Sequence, residues 1–220
     1  MICFLSHKKC SKSYILVINF KTNFNIFIQT RCNMGKIRCA WCGTDPIYVE
    51  YHDTEWGVPV KDDTKLFEFL ILETFQAGLS WIMVLKKREN FRAAFDNFDY
   101  DKIVKYDESK IETLLQDAGI IRNKLKIKAT ISNAIAFKQV QQEFGSFSNY
   151  IWAFTNHQSI KNNWKGLKEL PAKTTLSDDV SKDLKKRGFK FVGSTVIYAH
   201  MQATGMINDH IESCFRYHEV

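Results

Sequence analysis

Two pairs of cysteine and histidine residues near the two ends of the organised sequence carry the side chains needed to bind one metal ion. Cys39 and His52 are thirteen residues apart, and His210 and Cys214 are spaced i, i+4. Side chains four residues apart on a helix project from one face, so the second pair can share an ion. Two thiolates and two imidazoles suit tetrahedral zinc, and a closed set of four leaves no coordination position for chemistry. The pattern predicts one structural Zn²⁺ that ties the N-terminal segment to the C-terminal segment, with the active site elsewhere.

The spacing leaves the ligand set open. Cys42 forms a C-A-W-C motif with Cys39, so Cys39, Cys42, His210 and Cys214 are a rival set. Unrelated buried thiols and surface histidines are the alternative to any metal site. The chain has six cysteines, of which three precede residue 34, and this number and distribution do not suit a disulfide framework. We therefore expect a reducing compartment, the cytoplasm.

A glycine-containing segment, Leu184–Thr195 with the sequence LKKRGFKFVGST, is predicted to join two helices by a short hairpin. Gly188 and Gly193 permit a tight turn and the close approach of another chain. The helix that opens at Ser194 presents free N–H groups that suit a phosphate. Four basic side chains surround this position: Lys185, Lys186, Arg187 and Lys190. The segment indicates a helix-hairpin-helix clamp for a DNA backbone, and its alternative is an ordinary αα-hairpin with a solvated basic face.

Aromatic residues crowd the region around the first half of the metal motif. They are Trp41, Tyr48, Tyr51, Trp56 and Trp81. Stacked aromatic faces are one way in which proteins hold a base extruded from DNA. Glu73 lies inside the apolar run ILETF, where a buried carboxylate is costly unless it has a partner or a task. The alternatives are ordinary core packing for the aromatic residues and an exposed helix edge for Glu73.

The bulk composition bounds the class of protein. The chain has 220 residues, of which 45% are hydrophobic and 14% aromatic, so it can bury a sizeable core as one large domain or two small ones. Its formal charge of +7 suits a polyanionic partner. Residues 1–33 have no helical period and are expected to be a disordered extension or an upstream start assignment, with the organised domain spanning residues 34–220. No run of residues 1–33 is long enough to span a membrane.

Helical periodicity dominates the organised part, and alternating strand patterns are scarce. The sequence therefore predicts an all-α domain of roughly eight short helices. The predicted helical segments are Lys65–Gly78, Ser80–Phe95, a segment opened by Asp107 or Ser109 that stops at Gly119, Arg122–Gly145, a shorter one within Phe147–His157, Ser177–Gly188 and Ser194–Gly205.

Five long motifs, in this order and at these separations, resemble the bacterial 3-methyladenine DNA glycosylase I family. They are RCAWCGTDPIYVEYHDTEWGVP, LETFQAGLSWIMVLKKRENFR, LLQDAGIIRNKLKI, LKKRGFKFVGST and NDHIESC, and together they cover about Ile37 to Tyr217. The resemblance implies a helix-hairpin-helix glycosylase fold, and it favours His52 over Cys42 as the fourth zinc ligand. It also implies that Glu73 and the five aromatic residues surround the damaged base.

The same resemblance implies two DNA-facing segments. In the turn from Gln76 to Ser80, Gln76, Gly78 and Leu79 face the DNA, with Leu79 near the space that the extruded base vacates. In the hairpin and the start of the following helix, the DNA-binding residues are Gly188, Lys190, Gly193, Ser194 and Thr195. The implied partners are alkylated double-stranded DNA and free 3-methyladenine as the product, with a monomeric protein and no membrane.

The implied reaction is hydrolysis of the N-glycosidic bond of 3-methyladenine after base flipping. Many helix-hairpin-helix glycosylases carry a catalytic Asp where this chain has Asn208, and Asp209 lies one residue off that position. We therefore do not expect Asp209 to be the base, and we expect it to orient His210 instead. No lysine stands beside this position, so we expect a monofunctional enzyme without strand cleavage. The alternative is a non-catalytic DNA-damage binder that uses the same clamp.

Overall fold

Helices form nearly all of the regular structure in this protein. The computed structural model describes residues 35–220, and every structural statement below concerns that part of the chain. The predictions about residues 1–33 lie outside the described residues. The ten α-helices are α1 (Pro46–Thr54), α2 (Asp63–Gln76), α3 (Trp81–Lys86), α4 (Arg88–Ala94), α5 (Tyr100–Ile103), α6 (Glu108–Gln116), α7 (Lys124–Phe144), α8 (Phe147–Ala153), α9 (Thr175–Lys186) and α10 (Ser194–Ala203). Four short 3₁₀ helices cover Ala40–Cys42, Asp96–Phe98, Leu167–Glu169 and Phe215–His218.

Side-chain caps fix where several of these helices begin. Asp62, Asp107 and Asn123 each accept a hydrogen bond from the backbone N–H three residues on, at 2.8, 2.9 and 3.1 Å. Thr174 and Ser177 form a reciprocal capping box at the start of α9. Each cap satisfies a backbone donor that the first turn of a helix leaves without a partner. The predicted all-α class is confirmed, and α7 is one long helix as its sequence predicts.

Helix α2 lies at the centre of the core. Every side chain from Leu66 to Phe75 is buried, and the helix packs against α3, α7, α8 and α10. A helix that is apolar on nearly all sides must be covered on all sides. The surrounding helices therefore also fix the position of Glu73, near the end of this run.

Three differences from the sequence-based prediction concern elements that carry candidate site residues or pack against them. The segment predicted as one helix over Ser80–Phe95 is two helices, α3 and α4, separated at Lys87. Beyond this break Arg88 is buried and pairs with Glu68 at 2.5 Å and with Glu55 at 2.8 Å, which holds α4 against α2. Helix α1 was not predicted, although Asp45 caps it and Pro46 occupies its first position.

The third difference concerns the C-terminal segment. The i, i+4 spacing of His210 and Cys214 suggested a helix, but residues 209–214 form a loop and turn. Just before this loop, Ile207–Asn208 (β2) pairs in parallel with Ile160–Lys161 (β1), in the register Ile160 to Ile207. Among the described residues no helix is both long and apolar enough to cross a membrane.

Candidate functional site

Four side chains from opposite ends of the described chain converge on one buried point. Cys39, His52, His210 and Cys214 are all buried, and their donor atoms lie within 4.8 Å of one another. Sγ of Cys214 is 3.5 Å from Nε2 of His52 and 3.5 Å from Nδ1 of His210, and Sγ of Cys39 is 3.6 Å from the same Nδ1. Tetrahedral zinc with ordinary Zn–S and Zn–N bond lengths separates its sulfur and nitrogen ligands by about 3.5 Å. The group therefore fits a four-coordinate metal ion.

The two imidazoles are held by contacts outside this group. Nδ1 of His52 contacts the Asp53 carboxylate at 2.8 Å, and Arg38 donates to the same carboxylate. Hydrogen bonds from Arg38 help to lower the pKa of Asp53 to about 2, so this carboxylate stays ionised. Nε2 of His210 contacts the Trp56 carbonyl at 3.1 Å. Each ring thus has one nitrogen held by an oxygen and the other facing the cysteines, the usual arrangement around a metal.

The rival metal ligand and one expected contact are not found in this region. Cys42 is buried but lies outside the four-residue group, and its Sγ contacts the Gly43 carbonyl instead. Asp209 does not orient His210, because both of its carboxylate oxygens are used elsewhere. The four groups that donate to it, at 2.5–2.7 Å, belong to Asn162, Trp164, Tyr198 and Gln202. Asp209 is thus the centre of a closed hydrogen-bonded network.

The five aromatic residues singled out in the sequence form one continuous cluster, which we call the aromatic cluster. Trp41 is central, with ring centroids 5.1 Å from Tyr48, 6.3 Å from Tyr51 and 4.9 Å from Trp56. Tyr51 in turn lies 5.5 Å from Trp81. Three elements supply these rings: the 3₁₀ helix at residues 40–42, helix α1 with its following turn, and the first residue of α3. Helix α1 therefore carries both the His52 metal donor and two rings of the aromatic cluster.

Glu73 is buried against the aromatic cluster, with only 3% of the residue exposed. Burial raises the pKa of its carboxyl group to about 8. Burial and then the negative charge of Glu73 raise the pKa of Tyr51. The pKa of Tyr48 is raised by burial, then by Cys42 and then by Glu73, so Glu73 lies near both tyrosines. Its Oε2 atom has no hydrogen-bond partner, and neither do the indole nitrogens of Trp41 and Trp81. Buried polar atoms without partners are uncommon in folded proteins, and three in one cluster indicate a site for a polar, planar ligand.

The turn at residues 76–80 begins shortly after Glu73, and its residues 77–80 are exposed. Gly78 has a φ of +86°, which residues other than glycine rarely adopt. The Leu79 N–H donates to the Gln76 carbonyl at 2.6 Å. Leu79 is an apolar side chain that is 37% exposed. The surface turn therefore presents an apolar side chain to solvent.

The hairpin at residues 188–193 joins α9 to α10. A Cβ added to Gly188 or Gly193 would meet no atom within 4 Å, so the outer side of the hairpin is open. Lys190 is exposed, and Phe191 is 41% exposed with a φ of +57°. The open glycines and the exposed cation are what a clamp for another chain requires.

Beyond the hairpin, Gly193 is the N-cap of α10, Thr195 is exposed, and the Ser194 hydroxyl pairs with the Ser177 hydroxyl at 2.8 Å. One predicted contributor to the basic surface is otherwise occupied. The Arg187 guanidinium pairs with the carboxylates of Asp183 and Glu143, each at 2.6 Å. Its charge is therefore compensated within the protein.

The combination of an unpartnered buried acid, an aromatic cluster and an open hairpin agrees with a comparison against known families. The model of the methyladenine glycosylase family matches residues 41–217. The chain belongs to the methyladenine glycosylase family. DNA-3-methyladenine glycosylase 1 of Escherichia coli strain K12 is 53% identical over 180 residues, which are 82% of this chain and 96% of that protein.

Solved structures of the family agree with the fold. A crystal structure of 3-methyladenine DNA glycosylase I has a TM-score of 0.80 at 51% identity, covering 81% of this chain and 98% of the other. A point variant of a 3-methyladenine DNA glycosylase I in complex with 3-methyladenine has a TM-score of 0.79 at 31% identity, covering 81% and 96%.

Several polar residues that contact these segments of the methyladenine glycosylase were not singled out in the sequence. Asp53 follows the metal donor His52 directly, so its adjacency was an available signal. Lys126 is a buried cation on the apolar side of α7, and Asn133 is a buried amide on the same helix. A charged or amide side chain at a core position of a predicted amphipathic helix is the local signal that marks both.

Proposed function

We propose that this chain is a DNA-3-methyladenine glycosylase that hydrolyses the bond between the damaged base and deoxyribose in alkylated duplex DNA. The observation that carries the proposal is Glu73. It is a buried acid with an unpartnered oxygen beside the aromatic cluster, in a chain whose family is shown. The surface turn and the open hairpin on the same domain supply what a base-flipping enzyme needs to grip a duplex from one side.

Selection of the damaged base follows from its charge. Alkylation at N3 leaves adenine cationic while it is attached to the sugar, which also makes it a good leaving group. The faces of tryptophan and tyrosine attract a cation by about 0.5–2 kcal/mol each. A neutral purine loses this attraction, so the aromatic cluster discriminates before any bond is broken.

The raised pKa of Glu73 strengthens this discrimination. With a pKa of about 8, the carboxyl group is mostly protonated at pH 7, and ionising it costs about 1.4 kcal/mol there. A cationic base beside Glu73 offsets this cost and stabilises the carboxylate, which then accepts hydrogen bonds from the N–H groups of the base. A neutral base does not offset the cost of ionising Glu73. Glu73 thus acts as a binding partner whose charge appears with the lesion.

Neither residue near the position of the missing acid is free to act as a base. The Asn208 amide donates to the carbonyls of Tyr217 and Val220. Asp209 is held in its own network, as described above. This supports a mechanism in which the cationic leaving group and its binding by Glu73 supply most of the driving force for hydrolysis. The lack of a lysine beside Asn208 supports a monofunctional glycosylase without lyase activity.

We further propose that Cys39, His52, His210 and Cys214 bind one Zn²⁺ as a structural ion. When bound, zinc supplies four coordinate bonds that cross-link the two ends of the domain. The closed donor set leaves the ion no role in hydrolysis. Residues 37–220 form one compact unit, which supports a single glycosylase domain. We propose a monomer, because one copy carries the acid, the aromatic cluster and the hairpin.

A free-base release assay tests the proposed activity. Purified protein is incubated with methylated duplex DNA, and the released bases are separated by chromatography. We expect release of 3-methyladenine with 7-methylguanine retained in the DNA. We also expect Glu73→Gln to lose release while it still binds duplex DNA, and the exposed Glu50→Gln on α1 to match the wild type. A folded, metal-loaded protein that binds alkylated DNA and releases nothing would be a damage binder instead.

A further inference from the structure

The C-terminal end of α2 is held by a buried lysine from another helix. The ammonium of Lys126 donates to the carbonyls of Phe75 at 3.0 Å and Ala77 at 2.8 Å. The last carbonyls of a helix lack partners within it, and a cation at that end also complements the helix dipole. Lys126 is only 6% exposed, and burial lowers its pKa. A buried lysine is expensive, and packing alone would be served as well by an apolar side chain.

The carbonyls that Lys126 holds lie between the two parts of the site that must act together. Glu73 precedes Phe75 on α2, and Leu79 follows Ala77 in the surface turn. Fixing these two carbonyls therefore fixes how far, and in which direction, the surface turn projects from Glu73 and the aromatic cluster. Exposed neighbours on α7, such as Leu125, have no such contact.

The same helix also holds the hairpin. The side chain of Asn133 is fully buried, and both of its polar atoms engage the backbone of Lys190. Its Oδ1 accepts from the Lys190 N–H at 2.7 Å, and its Nδ2 donates to the Lys190 carbonyl at 3.1 Å. Two hydrogen bonds to one residue fix both the position and the orientation of the hairpin tip.

Lys126 and Asn133 lie seven residues apart, which places them on one face of α7, about 10 Å apart along its axis. Between them, the buried Thr130 hydroxyl donates to the Lys126 carbonyl at 3.0 Å, so this face is polar yet closed to solvent. A single rigid helix thus contacts the surface turn at one point and the hairpin at another. No other described side chain bonds to the backbone carbonyls of residues 75–77.

We propose that Lys126 and Asn133 are positioning residues that set the distance between the hairpin, which grips the backbone, and the surface turn, which fills the vacated stack. This inference rests on the proposed function of those two segments. When the hairpin binds the DNA backbone, the surface turn is thereby placed at the damaged base pair, and the base is extruded. Neither residue touches the base.

The test separates positioning from folding and from pocket chemistry. Lys126→Met keeps the length and apolar stem of the side chain and removes its donors. The matched control is Lys138→Met, because Lys138 lies on the same helix, carries the same charge and pairs only with the surface residue Asp101. Three quantities are measured: the rate of 3-methyladenine release at saturating protein, the Kd for methylated duplex, and the Kd for free 3-methyladenine.

We expect Lys126→Met to lower the saturated release rate about 10- to 100-fold relative to Lys138→Met, since misplacement by about 1 Å costs this much. The Kd for free 3-methyladenine should stay within about 2-fold, because Glu73 and the aromatic cluster are unchanged. Lys126→Arg keeps a donor for the two carbonyls and should restore most of the rate. Asn133→Ala should also lower the saturated release rate. In the double variant the fold-loss of rate should be smaller than the product of the two single fold-losses, because both residues set the same distance. Residues this far apart normally have independent effects, so this result would be specific to positioning.

Three results would overturn the inference. These are a Lys126→Met rate equal to the control, a loss of free-base affinity equal to the loss of rate, or strictly multiplicative effects in the double variant. If Lys126→Met does not fold, Asn133→Ala decides alone, and an unchanged saturated rate refutes the proposal. A wild-type protein that releases no base would refute the proposed function instead, so the two failures are distinguishable.

Discussion

Replacing Glu73 with glutamine should abolish base release and, at the same time, stabilise the protein. The carboxyl group is buried without a partner for Oε2, and burial raises its pKa from 4.5 to about 8. Between these two values the folded protein binds a proton that the unfolded chain has lost. The free energy of unfolding therefore falls as the pH rises through this window, and it stops falling above the folded pKa. Glutamine has nearly the same shape and never ionises.

The size of the effect follows from the shift. Below pH 4.5 both side chains are neutral and the two proteins should be about equally stable. The interval between the unfolded and folded pKa values spans about 3.5 pH units, and pH 7 lies about 2.5 units above its lower end. Glu73→Gln should therefore be more stable than the wild type by about 3 kcal/mol at pH 7. At pH 9 the difference should reach about 5 kcal/mol. Denaturant unfolding of both proteins from pH 5 to pH 9 measures this difference directly.

The exposed Glu50→Gln serves as the control, because its carboxyl group is solvated in both states. The reasoning is refuted if the stability difference between wild type and Glu73→Gln stays constant from pH 5 to pH 9. It is also refuted if the wild type is the more stable protein at pH 9. Either result would mean that Glu73 has a partner or solvent access that its surroundings do not indicate.

Three further outcomes are expected. Cys214→Ser should lose about one equivalent of bound zinc and lower the Tm by about 2–4 °C for each kcal/mol of unfolding free energy lost, while Cys42→Ser should keep the metal. Metal analysis and thermal unfolding measure both effects, and a well-folded wild type without metal would refute the zinc site. Gly205→Ala should lower the free energy of unfolding by more than about 4 kcal/mol, because the added Cβ would lie 2.4 Å from a backbone carbonyl carbon at a φ of +70°. Gly43→Ala has open space at a φ of +56° and should lower it by about 1 kcal/mol. Equal unfolding midpoints of the two variants in urea would contradict this expectation. Asp209→Asn should lower the free energy of unfolding by about 1–3 kcal/mol yet leave the release rate per folded molecule unchanged, and a large loss of rate in folded protein would make Asp209 part of the chemistry.

Local sequence predicted the helices whose periodicity and caps agree. Helix α7 has an amphipathic pattern over its whole length and a capping Asn123, and its bounds were found to within two residues. Helix α1 was missed because PIYVEYHDT has no clear apolar stripe, although Asp45 and Pro46 were both favourable start signals. The break at Lys87 was not predictable from periodicity, because it depends on where Glu68 lies in space.

The candidate site was predictable only in part from the residues alone. The Cys/His pairs predicted a metal site, but the choice of His52 over Cys42 came from the family resemblance. The spacing of His210 and Cys214 correctly suggested that they meet, for the wrong reason, since a loop rather than a helix brings them together. The burial of Glu73 depends on how α3, α7, α8 and α10 pack around α2, which no local pattern contains.

The positions of the four Cys/His residues in the sequence have a consequence for the order of events during synthesis. His52 and Cys214 are in contact although they stand 162 residues apart. A nascent chain that has reached Gly205 already contains Glu73 and every ring of the aromatic cluster, but it lacks two of the four Cys/His residues. The group of four is therefore completed only after nearly all of the described residues have been made.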